Sequence, residues 1–377
     1  MEPVNNLALT FDDVLLKPGY AGFLRAEIST KTWLTPKIPL AVPITSAPMD
    51  TVTESRLATA LGKSGGFGFI HRNLTIANQA AEVQKVKQAG GLVGAAVGSS
   101  SGYEERVKAL LKAGADVILV DSAHGHSYAV IEAVKNIRSL SKVEIIAGNV
   151  ATAEGAKALI EAGVNGLRVG MGPGAICSTR IISGMGVPQI TAILDTVSIA
   201  KSHSIPVIAD GGINYSGDIT KALAAGASSV MLGRILAAAK ESAGEIVKLT
   251  AAQVPQRFQS ILNHASSYKF KRYRGMGSLS AMKKGLEVSS EDEFHGKSYK
   301  NTKLIAEGVE GMVPMTGTVE EVVAELVGGL VSGMYYVGAK NIKELQSKTK
   351  FIPITQSSLR ESHPHDLFIT SPGSNYI

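Results

Sequence analysis

One pattern recurs along this chain. A stretch of helical period ends in Ala-Gly, a short β-branched run follows, and a polar or glycine residue closes it. Ala113-Gly114 leads into Val117-Ile118-Leu119-Val120-Asp121, Ala162-Gly163 into Gly166-Leu167-Arg168-Val169-Gly170, and Ala225-Gly226 into Ser229-Val230-Met231-Leu232-Gly233. Glycine suits the left-handed position past a helix C-terminus. The apolar run after it reads as a strand buried on both faces, which implies a parallel sheet. Eight such runs occur, at 40–45, 67–70, 92–97, 117–120, 144–147, 167–169, 206–209 and 230–232. The stretches between them mostly have helical length and period. Eight βα units in about 200 residues is the count of a TIM (β/α)8 barrel. A doubly wound sheet is the alternative, since periodicity does not show closure.

In such a barrel the chemistry sits just past the C-terminal strand ends. Those positions hold Ser46, Asp50, His71, Gly98, Asp121, Ser122, Asn149, Gly170, Asp210, Gly233 and Arg234. The expected organisation is one catalytic domain over 1–377, with the barrel core at about 38–237. After Ala238 the pattern changes. Residues 250–312 are polar, basic and turn-rich without strand periodicity, too long for an ordinary connection. A flap-like excursion over about 245–315 is expected. A closing helix over 319–331 and an extended C-terminal tail over 352–377 follow.

Composition narrows the functional classes. Hydrophobic residues make up 45% and the net charge is +6, which excludes global disorder. The single cysteine, Cys177, rules out an intrachain disulfide and a multi-cysteine zinc site, and suits a reducing, cytoplasmic setting. Residues 1–13 lack the pattern of a secretory leader, and no apolar run has membrane-spanning length. The basic residues form no long stripe with interleaved aromatics, so no nucleic-acid partner is expected.

Several loops carry chemistry-bearing residues. Gly170-Met171-Gly172-Pro173-Gly174-Ala175-Ile176-Cys177-Ser178-Thr179-Arg180 puts the lone cysteine in a glycine-rich loop past a strand. Such a loop offers carbonyls to a monovalent cation or N–H groups to an anion. A nucleophile fits that position better than the inert buried thiol that free cysteines usually are. Asp210-Gly211-Gly212 and Gly233-Arg234 follow the last two barrel strands, the usual phosphate site of this fold, with Asp210 suited to ribose hydroxyls. A bare turn is the plainer alternative. Asp121-Ser122-Ala123-His124-Gly125-His126 could be a metal site but lacks helical His spacing, so a ligand-contacting loop fits better. Tyr273–Ser278 offers a phenol and backbone N–H groups, and Glu307–Gly311 offers carboxylates. Either could equally be a solvated turn.

At these residues the sequence resembles the IMP dehydrogenase / GMP reductase family over nearly its whole length. The markers are Leu9–Leu16, Met49–Glu54, Asp121–Ser127, Gly172–Arg180, Gly186–Ile193, Ala209–Ile213, Tyr273–Ser278 and Glu361-Ser362-His363. The resemblance implies a TIM barrel, a homotetramer and a purine nucleoside 5′-monophosphate substrate. It makes Cys177 the nucleophile that adds to C2 of the purine, acting as the thiolate. It pairs Thr179 with Glu307 as a proton relay. Asp210, Gly212 and Gly233 match ribose and phosphate contacts, and Tyr273 a phosphate contact. Met49, Gly275, Met276 and Gly277 join the substrate-binding set. Asp121, Ser122, Asn149 and Gly170 face the dinucleotide. Gly172, Gly174 and Cys177 match carbonyl ligands of a potassium ion, with Glu361 coming from a neighbouring subunit's tail.

Two reactions share this scaffold: NAD-dependent oxidation of IMP to XMP, and NADPH-dependent reduction of GMP to IMP and ammonia. The wording of Tyr273–Ser278 and the tail favour the dehydrogenase, placing the chain in guanine nucleotide biosynthesis. Four departures stand out. Glu293-Phe294, in the stretch 289–296, stands where dehydrogenases carry a flap Arg-Tyr pair, which favours the reductase and leaves His295 as a substitute base. Ala47, Ala175 and Arg234 stand where the family often has serine, and Arg234 offers a charge-assisted bond to phosphate. No regulatory cystathionine-synthase-type domain pair interrupts 85–91, and 245–267 exceeds the usual link. A catalytically impaired nucleotide-binding paralogue is the remaining alternative.

Overall fold

A computed structural model describes residues 7–262, 265–291, 305–367 and 369. The eight repeats form eight parallel strands: β1 (Ile44–Ser46), β2 (Gly68–Ile70), β3 (Val93–Val97), β4 (Val117–Asp121), β5 (Glu144–Val150), β6 (Gly166–Val169), β7 (Val207–Asp210) and β8 (Ser229–Leu232). Each pairs with its neighbour in sequence, and β8 returns to β1 through Val230–Ile44, Met231–Thr45 and Leu232–Ser46. β1 and β2 close the ring, with Phe67 N–H donating to Ile44 O and Ser46 N–H to Phe67 O, both at 3.1 Å. The chain is therefore a (β/α)8 barrel, and the doubly wound alternative falls.

Local chemistry accounts for the units. Gly114, Gly163 and Gly226 take the left-handed φ that ends a helix, at +93°, +102° and +110°. Thr75 and Thr152 cap helices Ile76–Gln88 and Ala153–Ala162 by accepting N–H bonds from Asn78 and Gly155. Two cores result. Outward-facing strand residues such as Val120, Ile145 and Leu167 pack with the helices. Inward-facing Phe67, Phe69, Leu119, Ile146, Ile208 and Met231 fill the barrel. Leu34, Ile38 and Leu40, from a hairpin of Thr32–Thr35 and Ile38–Leu40, join that inner core. Each such aliphatic side chain removed from water contributes about 1.5–3 kcal/mol.

Four features differ from expectation. The run 40–45 splits, because Leu40 ends the hairpin and the barrel strand starts only at Ile44. The excursion holds a three-stranded antiparallel sheet: β9 (Ile246–Leu249), β10 (Tyr268–Arg274) and β11 (Glu310–Pro314). Its period was hidden by Lys271, which is buried although charged, its Nζ donating to Ser242 O at 2.9 Å and Gly244 O at 3.0 Å. The link 245–267 supplies β9 and a small separate core in which Val254, Leu249, Phe258 and Ile261 pack on Tyr268 and Phe270. The closing helix runs on to Val337, where Gly338 ends it. The tail is not simply extended: Phe351–Pro353 pairs with Val14–Leu16, and a helix spans Gln356–Glu361. Helix Ile76–Gln88 leads to β3 through Ala89–Leu92 alone. Among the described residues no single helix is long and apolar enough to cross a membrane.

Candidate active site

A cavity of about 580 Å³ opens at the C-terminal strand ends, within the usual range for small-ligand sites. Loops after β1, β2, β4, β6, β7 and β8 line it, with Asn149 near the end of β5, the turn after β10 and the residues before β11.

Cys177 is exposed at its mouth. Its Sγ–H donates to Thr179 Oγ1 at 3.2 Å, and Thr179 Oγ1–H donates to Glu307 Oε2 at 2.9 Å. The backbone sets this line. Cys177 N–H donates to Gly174 O at 3.0 Å, tightening the loop. Ser178 N–H donates to Glu307 O and Val309 N–H to Ile176 O, both at 2.9 Å, so the segment around Glu307 is stitched to the cysteine loop. Glu307 N–H in turn donates to Gly277 O at 3.1 Å, which brings Met276 and Gly277 to the same wall.

Across the barrel top lies a polar cluster in which Arg168 and Asn149 are buried and Asp121 and Asp210 are partly exposed. Asp210 Oδ2 accepts from Arg168 Nε at 3.0 Å and Asn149 Nδ2 at 2.8 Å, and Asn149 Nδ2 also donates to Gly170 O at 2.7 Å. Arg168 also bridges to Asp121, whose second oxygen lies 3.6 Å from Arg72 Nε. Burial opposes the Arg168 charge, but the two carboxylates outweigh it and raise its pKa. Sequence reasoning did not single out Arg168. The signal was a charged residue inside an apolar strand run, tolerated there only when paired. Asn149 and Asp121, expected to face a dinucleotide, thus have side chains already engaged with Asp210 and Arg168.

Glycine shapes the floor. Gly170 has φ +146°, and a Cβ there would lie 2.1 Å from Asp210 O. A Cβ on Gly233 would lie 2.7 Å from Tyr273 Oη and 3.5 Å from Met49 Sδ. Gly233, Tyr273 and Met49 therefore meet. Burial pushes the Tyr273 phenol well above its ordinary pKa, Asp210 adding to the shift and Arg234 opposing it, so the hydroxyl stays a donor. Arg234 begins the turn after Gly233. The one hydrogen bond of its guanidinium among the described residues goes to Asn214 O at 3.3 Å, and burial lowers its pKa. Four of its five donors thus remain for an anion. A second cavity, of about 680 Å³, shares Asn214 and Arg234 with the first and is walled partly by Phe258 and Ile261 of the long link.

Ser122, Gly172, Gly174, Gly212 and Gly275 also line the first cavity, as do Ala47 and Ala175. Among the described residues the carbonyls of Gly172 and Cys177 accept no hydrogen bond from the protein, so they remain available to a monovalent cation. Glu361 sits on the tail helix and lines neither cavity. His124 and His126 do not converge, their rings 6.4 Å apart, and no group of three or more His, Cys, Asp or Glu able to hold a metal occurs among the described residues. Glu293, Phe294 and His295 lie outside the described residues.

A second arrangement escaped sequence reasoning. The Asp50 carboxylate, fully buried, accepts from Arg274 Nε at 3.1 Å and Nη2 at 2.5 Å, and from Asn73 Nδ2 at 2.8 Å. Burial alone would raise the Asp50 pKa, but the Arg274 fork and Asn73 hold it below the usual carboxylate range.

Known proteins resemble this chain in sequence. The sequence model of the IMP dehydrogenase / GMP reductase domain matches residues 8–365. A protein of Cryptosporidium parvum named inosine-5′-monophosphate dehydrogenase is 43% identical over 411 aligned positions, covering 98% of this chain and 97% of that protein. One of the same name from Aquifex aeolicus is 40% identical over 497 positions, covering 98% and 97%. A third, from Borreliella burgdorferi, is 42% identical over 412 positions, covering 96% and 97%. The Aquifex alignment is longer than the 377 residues here, so that relative carries sequence this chain lacks. Family match and near-full-length identity together show that this chain belongs to the IMP dehydrogenase / GMP reductase family.

Proposed function

We propose that this chain oxidises IMP to XMP with NAD, as a single catalytic barrel domain that works as a cytoplasmic homotetramer. The observation that carries the reading is the Cys177–Thr179–Glu307 line opening onto the cavity that also holds Asp210, Gly233 and Tyr273.

Arg234, the Tyr273 hydroxyl and the glycine turns grip the 5′-phosphate. Asp210, held by Arg168 and Asn149, accepts from the ribose hydroxyls. Met276 and Gly277 flank the base. The Cys177 thiol gives up its proton along Thr179 to Glu307, and the thiolate bonds to C2 of the hypoxanthine. NAD, when bound, supplies the nicotinamide that takes the C2 hydrogen with its electron pair. A thioimidate joined to Cys177 remains. Glu307 releases the thiol proton to solvent; water then adds to C2 while Thr179 and Glu307 take its proton, the C–S bond breaks, the proton passes to the sulfur and XMP leaves. The free carbonyls of Gly172 and Cys177 fit a potassium ion, which would hold the cysteine loop in shape. Glu361 would join such a site only from another copy of the chain.

The test is direct. The purified protein should form NADH from IMP and NAD, faster with potassium, and Cys177→Ala should abolish this. NADPH consumption with GMP, without IMP oxidation, would replace the reading by GMP reduction, which the Glu293-Phe294 departure favours. Neither activity would leave a nucleotide-binding paralogue.

A further inference from the structure

The buried Asp50 carboxylate does no chemistry in the scheme above, yet it holds three separate elements. Its two oxygens take the Arg274 fork at the end of β10. Arg274 Nη1 then donates to Ser280 Oγ at 2.8 Å, in the first turn of helix Leu279–Glu291. Asn73, which donates to Asp50, also donates to Ala281 O at 3.2 Å, a second hold on that turn. Arg274 N–H donates to Thr51 Oγ1 at 3.2 Å, fixing the strand end to the loop after β1. Partners 224 residues apart in sequence are thus locked at one point.

Between the two anchored ends runs 275–278, which carries Met276 and Gly277 into the cavity. Gly275 N–H donates to Val309 O at 3.0 Å, and Gly277 O accepts from Glu307 N–H at 3.1 Å. A displacement of this turn therefore moves Glu307 against Thr179. A forked guanidinium–carboxylate pair is geometrically exacting, and a buried one loses far more when one partner is removed than it adds as a whole.

We propose that Asp50, through Arg274, Asn73 and Ser280, is a positioning residue that sets the 275–278 turn and thereby the distance from Glu307 to Thr179. This rests on the IMP-oxidation reading and deepens it. Asp210, Gly212 and Arg234, on other loops, keep the ribose and phosphate, so substrate affinity is separable from turnover.

The experiment measures kcat and KM for IMP in wild type, Asp50→Asn, Arg274→Lys and Ser280→Ala. In Asp50→Asn, kcat should fall tenfold or more while KM changes less than threefold. Arg274→Lys keeps the charge but not the fork and should fall between. Ser280→Ala, which leaves the ion pair and the barrel intact, should lower kcat severalfold with KM unmoved, and it decides the matter if Asp50→Asn does not fold. An unchanged kcat in Ser280→Ala and Asp50→Asn, or a KM that rises in step with the loss of kcat, overturns the inference. Absence of IMP oxidation in the wild type would instead overturn the reading beneath it.

Discussion

Replacing Glu307 with glutamine removes a proton acceptor and almost nothing else. The amide oxygen can still accept the Thr179 hydroxyl, now at 2.9 Å from Oε2, and the backbone bonds from Ser178 to Glu307 O and from Glu307 to Gly277 O do not involve the side chain. Two losses add. The charge-assisted bond to Thr179 becomes neutral, about 1 kcal/mol. Removal of a positioned general base slows proton transfer about 10²–10⁴-fold, roughly 3–5 kcal/mol on the barrier. The second dominates, so kcat should drop at least a hundredfold while KM for IMP stays within about threefold. Because Glu307 also takes the Cys177 proton, rapid-mixing kinetics should show the first equivalent of NADH slowed together with turnover. A kcat within fivefold of wild type would refute the role given to Glu307.

Gly233→Ala places a methyl 2.7 Å from Tyr273 Oη. Overpacking of about 1–3 kcal/mol should appear as a five- to 150-fold rise in KM for IMP, and an unchanged KM would remove Gly233 and Tyr273 from the phosphate site. Phe270, 1% exposed, anchors the separate core of the excursion. Phe270→Ala should cost about 3–5 kcal/mol there, read as faster hydrogen exchange across β9 and β10 with the barrel strands unchanged; a uniform loss of protection would contradict the separation. Asp50 has a lowered folded-state pKa, so its contribution to stability is present above the unfolded value of about 3.9 and is lost as pH falls through the folded value. The stability gap between wild type and Asp50→Asn should therefore narrow in acid, and a pH-independent gap would refute the ion pair's contribution.

The eight repeats were legible because a buried parallel strand and the helix after it are local patterns. Ala-Gly junctions with left-handed glycines and β-branched runs need no knowledge of what they pair with. The excursion was less legible. β10 alternates until Lys271, whose burial depends on two distant carbonyls, Ser242 O and Gly244 O. The tail strand was missed because Phe351–Pro353 is short and exists only by pairing with Val14–Leu16.

Sequence by itself determined the eight βα units, the strand ends where polar residues collect, and the glycine loop bearing Cys177. Only the tertiary structure decided which polar and charged groups meet. Thr179 and Glu307 are 128 residues apart, Arg168 and Asp121 are 47 apart, and Asp50 and Arg274 are 224 apart. A buried charge is stable only beside its partner. That partner is chosen by ring closure and by the sheet folded over the barrel mouth, neither of which leaves a period in the chain.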